Sequence, residues 1–285
     1  MKTSINTYSF SKIKDSGGNT IPMTEMIEKA AEIGFDAIEF VGVSVPADVD
    51  MTPLEYAKVL RKKCSEKGLS VSAYTVGADF LSDKEVVEKL KSEVDIAEAL
   101  GTGIMRHDIC YSLPEDKTYF DLIPEFVPKV RELAEYAALK GIKTCTENHG
   151  YVSQDADRVI ALKKAVNSDN FGLLVDFGNF MCADEISVES VAKAIPYAVH
   201  IHAKDFLYQS KENAKNPLPG FFPTREGNYL CGCALGDGVV NVCECVKIVK
   251  NAGYNGYITL EFEGPFGDPL EEIKKGFERL KTWIL

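Results

Sequence analysis

Histidine is scarce in this chain, with four residues among 285, and there is a single tryptophan. A site built from several imidazole-rich metal centres therefore has little to draw on. Positive charge is also in deficit. Lys and Arg number 32 against 43 Asp and Glu, a net charge of −11, which works against a protein that must neutralise a phosphate backbone. Nowhere does an apolar run reach spanning length. The opening MKTSINTYSF has no apolar signal core, so the expected location is the cytoplasm. No G-x-G-x-x-G or Walker pattern follows the first strand-like stretch, which weakens nucleotide binding. No linker or low-complexity tract divides the chain, so one domain over residues 1–285 is expected.

Cysteine is not scarce, at eight residues, but a chain this long does not depend on a disulfide framework. Cys64, Cys110, Cys145 and Cys182 are scattered. Cys231, Cys233, Cys243 and Cys245 lie closer together, as a structural zinc would need. However, Cys243 and Cys245 fall in a helical pattern, where i and i+2 point to different faces. Reduced thiols are the expectation.

What is present is a repeated phrase of amphipathic segment, glycine and short apolar strand. AAEIG-FDAIEF, CSEKG-LSVSAY, AEALG-TGIMRH, AALKG-IKTCTE and KNAG-YNGYITLE all follow it. Gly34, Gly68, Gly101, Gly141 and Gly253 suit the left-handed residue that closes a helix. The strands lack clean alternation, as strands buried on both faces do. Helical stripes run through Val87, Leu90, Val94 and Ala97, and through Leu270, Ile273, Phe277 and Leu280.

Strands are expected near 3–9, 36–41, 70–76, 103–108, 142–147, 171–176, 198–203 and 257–262. Helices are expected at roughly 23–33, 53–67, 83–100, 125–140, 155–167, 187–195, 242–252 and 269–283, with Pro124 and Pro128 before or in the first turn of the fourth. Eight such units favour an α/β fold, a single-domain (β/α)8 TIM barrel, over an open doubly wound sheet. One long connection, 207–241, follows strand seven. It contains NPLPGFFPTREGNY and is a candidate active-site lid.

Four of the strands end alike. KTCTENHG closes on Glu147, Asn148 and His149; LLVDFGNF carries Asp176; AVHIHAKDF carries His200, His202 and Lys204; YITLEFEG carries Glu261 and Glu263. In a barrel the chemistry sits at the C-terminal strand ends. Glu147, Asp176, His202 and Glu261 would then meet as one ligand per strand. Three carboxylates and an imidazole suit a divalent ion, with manganese first and magnesium, cobalt, iron or zinc as alternatives. Taken singly, each acidic residue is equally a cap or an ion-pair partner. Strand period turns Glu263 the same way as Glu261, so either could be the last ligand.

In that order, ENHG, VDFGN, VHIHAKD and LEFEG resemble the xylose isomerase-like barrels, and the resemblance covers essentially the whole chain. That group includes sugar phosphate isomerases and epimerases, ketose 3-epimerases, hydroxypyruvate isomerases, inosose dehydratases and an AP endonuclease branch. The resemblance implies a small carbohydrate or polyol substrate, one divalent metal with Glu147, Asp176, His202 and Glu261 as ligands, and a homo-oligomer as in many relatives. It also implies isomerase or epimerase activity in carbohydrate metabolism. Glu147 would remove a proton and Glu261 return one on the opposite face, through a metal-stabilised enediolate. Lys204 would donate to the developing oxyanion.

Two positions depart from the ketose 3-epimerases. Asn179 stands where they have histidine, and Ser153 where they have a substrate-binding glutamate. The AKD after the H-x-H pair looks more like the dehydratase members. The alternative is therefore dehydration of an inosose-type keto-polyol, with a non-catalytic sugar-binding barrel behind it. An AP endonuclease-like hydrolase needs a three-metal cluster, for which four histidines and an acidic balance are poorly suited.

Asn6, Glu39, His107, His149, Asn179, His200 and Arg225 complete the candidate substrate-binding set. Each has a plainer reading. Asn6 and Glu39 could simply close the barrel floor, His107 could be a satisfied wall residue, and His200 could only orient a ligand. Arg225 could be a solvated loop arginine instead of an anion clamp.

Overall fold

The computed structural model describes residues 1–212 and 217–285. Strands β1 (Lys2–Asn6), β2 (Ala37–Val41), β3 (Ser70–Val76), β4 (Ile104–His107), β5 (Lys143–Glu147), β6 (Phe171–Asp176) and β7 (Ala198–Ala203) line up in chain order. Three short strands follow outside the barrel: β8 (Asp205–Gln209), β9 (Phe222–Pro223) and β10 (Tyr229–Cys233). β11 (Tyr257–Leu260) then closes the barrel in parallel between β7 and β1. The α-helices among the described residues are α1 (Met23–Ile33), α2 (Pro53–Glu66), α3 (Val86–Leu100), α4 (Tyr119–Ala138), α5 (Ala156–Val166), α6 (Ser187–Ala194), α7 (Val242–Asn251) and α8 (Pro269–Ile284). The fold is the single (β/α)8 TIM barrel that the helix–glycine–strand phrase implied.

The packing follows from the patterning. Ile5, Ile38, Phe40, Ile201 and Ile258 turn outward from the strands and are fully buried beneath the helices. Burial of each such side chain contributes about 1.5–3 kcal/mol. Leu90, Val94 and Ala97 of α3 and Ile273, Phe277 and Leu280 of α8 supply the other half of that layer. Gly34 and Gly101 end α1 and α3 at φ 104° and 78°, the left-handed turn that the sequence pattern required.

The inside of the barrel is different, because below the mouth it is polar. Ser4 Oγ and Ser72 Oγ lie 2.7 Å apart. A register shift between β2 and β3 beyond Ile38 re-aims the next residues, and Thr75 donates to Glu39 Oε1 at 2.7 Å.

Two expectations are corrected. The fourth helix starts at Tyr119, not 125, because Thr118 and Asp121 form a reciprocal capping box; Pro124 and Pro128 therefore lie inside the helix. The stretch 207–241 is no single open loop. β8, β10 and β9 pair antiparallel, and buried Asp205 accepts backbone N–H bonds from Phe206, Gly236, Gly238 and Val240 at 2.7–3.1 Å. Gly238 is obligatory there, since a Cβ would stand 2.2 Å from Asp205 Oδ1. Residues 213–216 of the expected lid lie outside the described residues. All eight cysteines are free.

Candidate metal centre and the cleft around it

The four strand-end residues converge. Glu147 ends β5, Asp176 ends β6, His202 lies on β7 opposite Asp176, and Glu261 follows β11. One ligand atom from each lies within 4.8 Å of the other three. All four are buried or nearly so; His202 Nδ1 is 2.9 Å from Glu261 Oε2, 3.8 Å from Glu147 Oε1 and 4.0 Å from Asp176 Oδ2. Asp176 holds its place by reciprocal bonds with Asn148, whose Oδ1 accepts from its N–H and whose Nδ2 donates to its carbonyl. Its Oδ1 accepts from Asn179 N, but its Oδ2 is buried with no hydrogen-bond partner.

A lone buried carboxylate oxygen, aimed among other carboxylates, is what a divalent cation would complete. The donor set fits the ion. Burial, with Glu147 and Glu261 adding to it against Lys204 and His202, pushes the Asp176 carboxyl up to about 7 without a cation. Burial also opposes ionisation of Glu261, yet Lys204 and His202 hold it well below the usual carboxylate range.

Glu39 lies beneath the cluster and is fully buried. Its Oε2 faces His200 Nε2 at 2.9 Å and His202 Nε2 at 2.8 Å, while Thr75 occupies Oε1. With Nε2 taken, His202 turns Nδ1 to the cluster. Burial disfavours the imidazolium, but Glu39 and Glu261 raise its pKa well above the ordinary value. Glu39 and His200 thus sit under the centre, not in the cleft as substrate contacts. His200 keeps Nδ1 buried and unpartnered and meets Thr259 Oγ1 at 3.0 Å. Glu39, His200 and His202 also form a metal-capable triple, but its close contacts are already hydrogen-bonded pairs.

Above the cluster, Lys204 reaches Glu263 at 2.9 Å, Asn179 Oδ1 at 3.2 Å and Glu261 Oε1 at 3.3 Å. Burial works against its charge, and the surrounding carboxylates keep it firmly protonated. Asn179 Nδ2 donates to Glu147 Oε1 at 2.9 Å. The metal-capable group contains Glu261; Glu263 stands farther out as the Lys204 partner.

Two residues missed from the sequence complete this wall. Arg106, 4% exposed, places Nη2 2.7 Å from both Glu147 Oε2 and Asp108 Oδ1. Asp108 in turn receives His149 Nδ1 at 2.9 Å and the Tyr111 hydroxyl at 3.0 Å. Burial and Arg106 oppose the His149 cation, but Asp108 and Glu147 raise its pKa overall. The signal was available: an arginine inside an apolar strand requires a buried acidic partner.

His107, taken from the same MRHD, faces the other way. It packs between Phe80 and Phe171, 5.4 and 6.0 Å between ring centres, and burial lowers its pKa to about 4. The period of two puts Arg106 inside and His107 in the wall. Arg225 is also displaced from its expected role. It pairs with Asp155 and donates to the Tyr151 carbonyl, fastening the outer sheet to the β5–α5 loop. Asn6 stays at the mouth, its Oδ1 accepting from Ser9 N and Oγ.

The cleft has two lobes. One of about 300 Å³ opens onto Glu147, His202 and Glu261 and is walled by Asn6, Tyr8, Arg106 and Asp108. The other, about 230 Å³, runs past Asn179, Lys204, Tyr151 and Phe222. A roomier cleft of about 530 Å³ lies between the start of α6 and the outer sheet, but no cluster residue lines it, so the chemistry locates the site elsewhere. Among the described residues no helix is long and apolar enough to cross a membrane.

Known proteins resemble this chain in sequence and in fold. The chain is 24% identical over 278 residues to the inosose dehydratase of Histophilus somni, covering 90% of this chain and 88% of that protein. The probable 3-DHS dehydratase AsbF of Bacillus anthracis superposes with a TM-score of 0.77 at 22% identity, covering 99% of both chains. A solved L-ribulose 3-epimerase superposes with a TM-score of 0.74 at 16% identity, over 99% of this chain and 94% of its own. Residues 27–283 match the family described as xylose isomerase-like TIM barrel, and the chain belongs to that family.

Proposed function

We propose that this enzyme dehydrates a cyclic keto-polyol, removing a proton beside the carbonyl and expelling the β-hydroxyl as water. A divalent cation held by Glu147, Asp176, His202 and Glu261 would supply Lewis acidity toward the substrate's carbonyl oxygen.

The residues divide the remaining work. Glu261, with 12% of its side chain exposed against 4% for Glu147, is the base for the α-proton. Lys204 and His202 keep it ionised. Glu147, fixed on both oxygens by Arg106 and Asn179, orients the cluster. Lys204 and Asn179 present donors for substrate oxygens along the second lobe. His149 lines both lobes and is backed by Asp108, so it can hand a proton to the departing hydroxyl. The C–O bond breaks with its electron pair on oxygen, that oxygen takes the proton, and the new C=C is conjugated to the ketone.

The single observation that carries this reading is His149 on Asp108: a proton donor on the β4–β5 side, separate from the Glu261 base on the β11 side. That separation lets one group take the α-proton while the other protonates the departing hydroxyl. The alignment with an inosose dehydratase over 88% of its length supports the same choice. Isomerisation or epimerisation is the second reading, favoured by the two carboxylates Glu147 and Glu261 on strands separated by β6 and β7. The test is product analysis with an inosose and manganese. Conjugated ultraviolet absorbance is expected, and a product of unchanged mass without that absorbance would replace dehydration by isomerisation. The outer sheet, held to the β5–α5 loop by Arg225, is proposed to act as a fixed lid over the second lobe.

A further inference from the structure

We infer that the substrate carries a second, uncharged ring, and that the lobe between Tyr151 and Phe222 receives it; this rests on the keto-polyol reading of the cleft. The two lobes share only His149 and Glu263 in their linings, and the metal-capable residues Glu147, His202 and Glu261 open only into the first. Clefts that enclose a whole small ligand begin at ~300 Å³, and the first lobe reaches that size alone. A single reacting ring, meeting the second lobe only at Lys204 and Asn179, therefore leaves most of that lobe of about 230 Å³ unfilled.

The chemistry of that lobe says what fits. Its basic groups are already matched, Lys204 by Glu263 at 2.9 Å and Glu261 at 3.3 Å and His149 by Asp108 at 2.9 Å, so no net positive charge is left for a phosphate or carboxylate. Tyr151, Phe206 and Phe222 give it an aromatic side. Phe222 packs edge-on to Phe206 at 5.7 Å, and Tyr151 stands 45% exposed. The flat C–H face of a sugar, or an aryl ring, stacks on such walls.

Tyr151 is also held there against a backbone cost. Its φ of 60° is left-handed, a conformation that asparagine or glycine adopts far more readily. Three ties keep it: its N–H donates to Gln154 Oε1, its carbonyl accepts from Arg225, and its hydroxyl donates to the Pro223 carbonyl at 2.7 Å. A strained residue fastened from three sides is maintained for its side chain's position. It also locks the outer sheet onto the β5–α5 loop, so both aromatic walls keep a fixed spacing.

Calorimetry on the manganese-loaded full chain tests this without relying on turnover. Methyl β-glucoside supplies one ring, cellobiose adds a sugar ring and phenyl β-glucoside adds an aryl ring. At least one of the two-ring probes should bind about tenfold tighter than the one-ring probe. Phe222→Ala and Tyr151→Asn should each erase most of that advantage while leaving methyl β-glucoside within about twofold. Preference for cellobiose identifies a sugar as the second ring, and preference for phenyl β-glucoside an aryl group. Equal affinity for all three would overturn the second subsite and leave the keto-polyol reading standing. No binding of either two-ring probe would likewise overturn the second subsite, while the inosose product analysis tests the keto-polyol reading separately.

Discussion

His202 Nε2 lies 2.8 Å from Glu39 Oε2, and that bond decides which nitrogen of the imidazole faces the other ligands. A neutral imidazole that donates through Nε2 offers its Nδ1 lone pair to a cation. Replacing Glu39 with Gln removes the carboxylate that fixes this tautomer. Manganese affinity measured by calorimetry should fall by roughly 10–100-fold with the barrel intact. Unchanged affinity would mean that Glu39 is only a filler of the barrel floor.

Arg106 is the buried counter-charge of Glu147 and Asp108. Arg106→Met leaves both carboxylates buried without it, which costs about 3–5 kcal/mol. Urea unfolding of the metal-free protein should show that loss. Manganese should recover part of it, because the ion neutralises Glu147 in place of the guanidinium. Equal destabilisation with and without metal would separate Arg106 from the cluster.

His107 gives a pH signature of its own. Burial holds its folded pKa near about 4, below the ordinary 6.5, so the unfolded chain takes up the proton first as pH falls. Its contribution to stability is complete above pH 6.5 and is lost as pH drops toward 4. Between pH 7 and pH 5 the wild type should lose about 2 kcal/mol more than His107→Leu, judged by urea unfolding at both values. Parallel losses would put the imidazole in a solvated setting.

Asp205 anchors the outer sheet through four backbone N–H groups. Asp205→Ala strips acceptors from buried donors, at about 1–3 kcal/mol for each one left unpaired. Limited proteolysis should then cut first in 234–241, and substrate affinity should fall more than manganese affinity. Proteolysis no faster than in the wild type would mean that the segment is held by other contacts.

The barrel was legible because its signal repeats. Each helix–glycine–strand phrase states the same local geometry, and Glu147, Asp176, His202 and Glu261 stand at equivalent points of four apolar strands. Side-chain direction within short strands was less legible. In MRHD the choice between Arg106 and His107 depends on parity, and a four-residue strand without apolar alternation does not announce its parity. Glu39 was found, but its partners His200 and His202 lie more than 160 positions along the chain, so its place beneath the cluster emerges only on closure. The start of α4 was hidden by Pro124 and Pro128, which suggest a first helical turn more strongly than Thr118 and Asp121 suggest one six residues earlier. The sheet built on Asp205 was hidden for a similar reason, since its strands are short and its turns rich in glycine and proline.

Cation binding at the four-strand cluster is tested most directly by equilibrium titration of the metal-stripped protein with manganese, alongside Asp176→Asn. One ion per chain should bind to the wild type, and the variant should bind at least about a hundredfold more weakly, since it loses the ligand whose Oδ2 has no other partner. Absence of binding to the wild type, or equal affinity in the variant, would contradict the assignment.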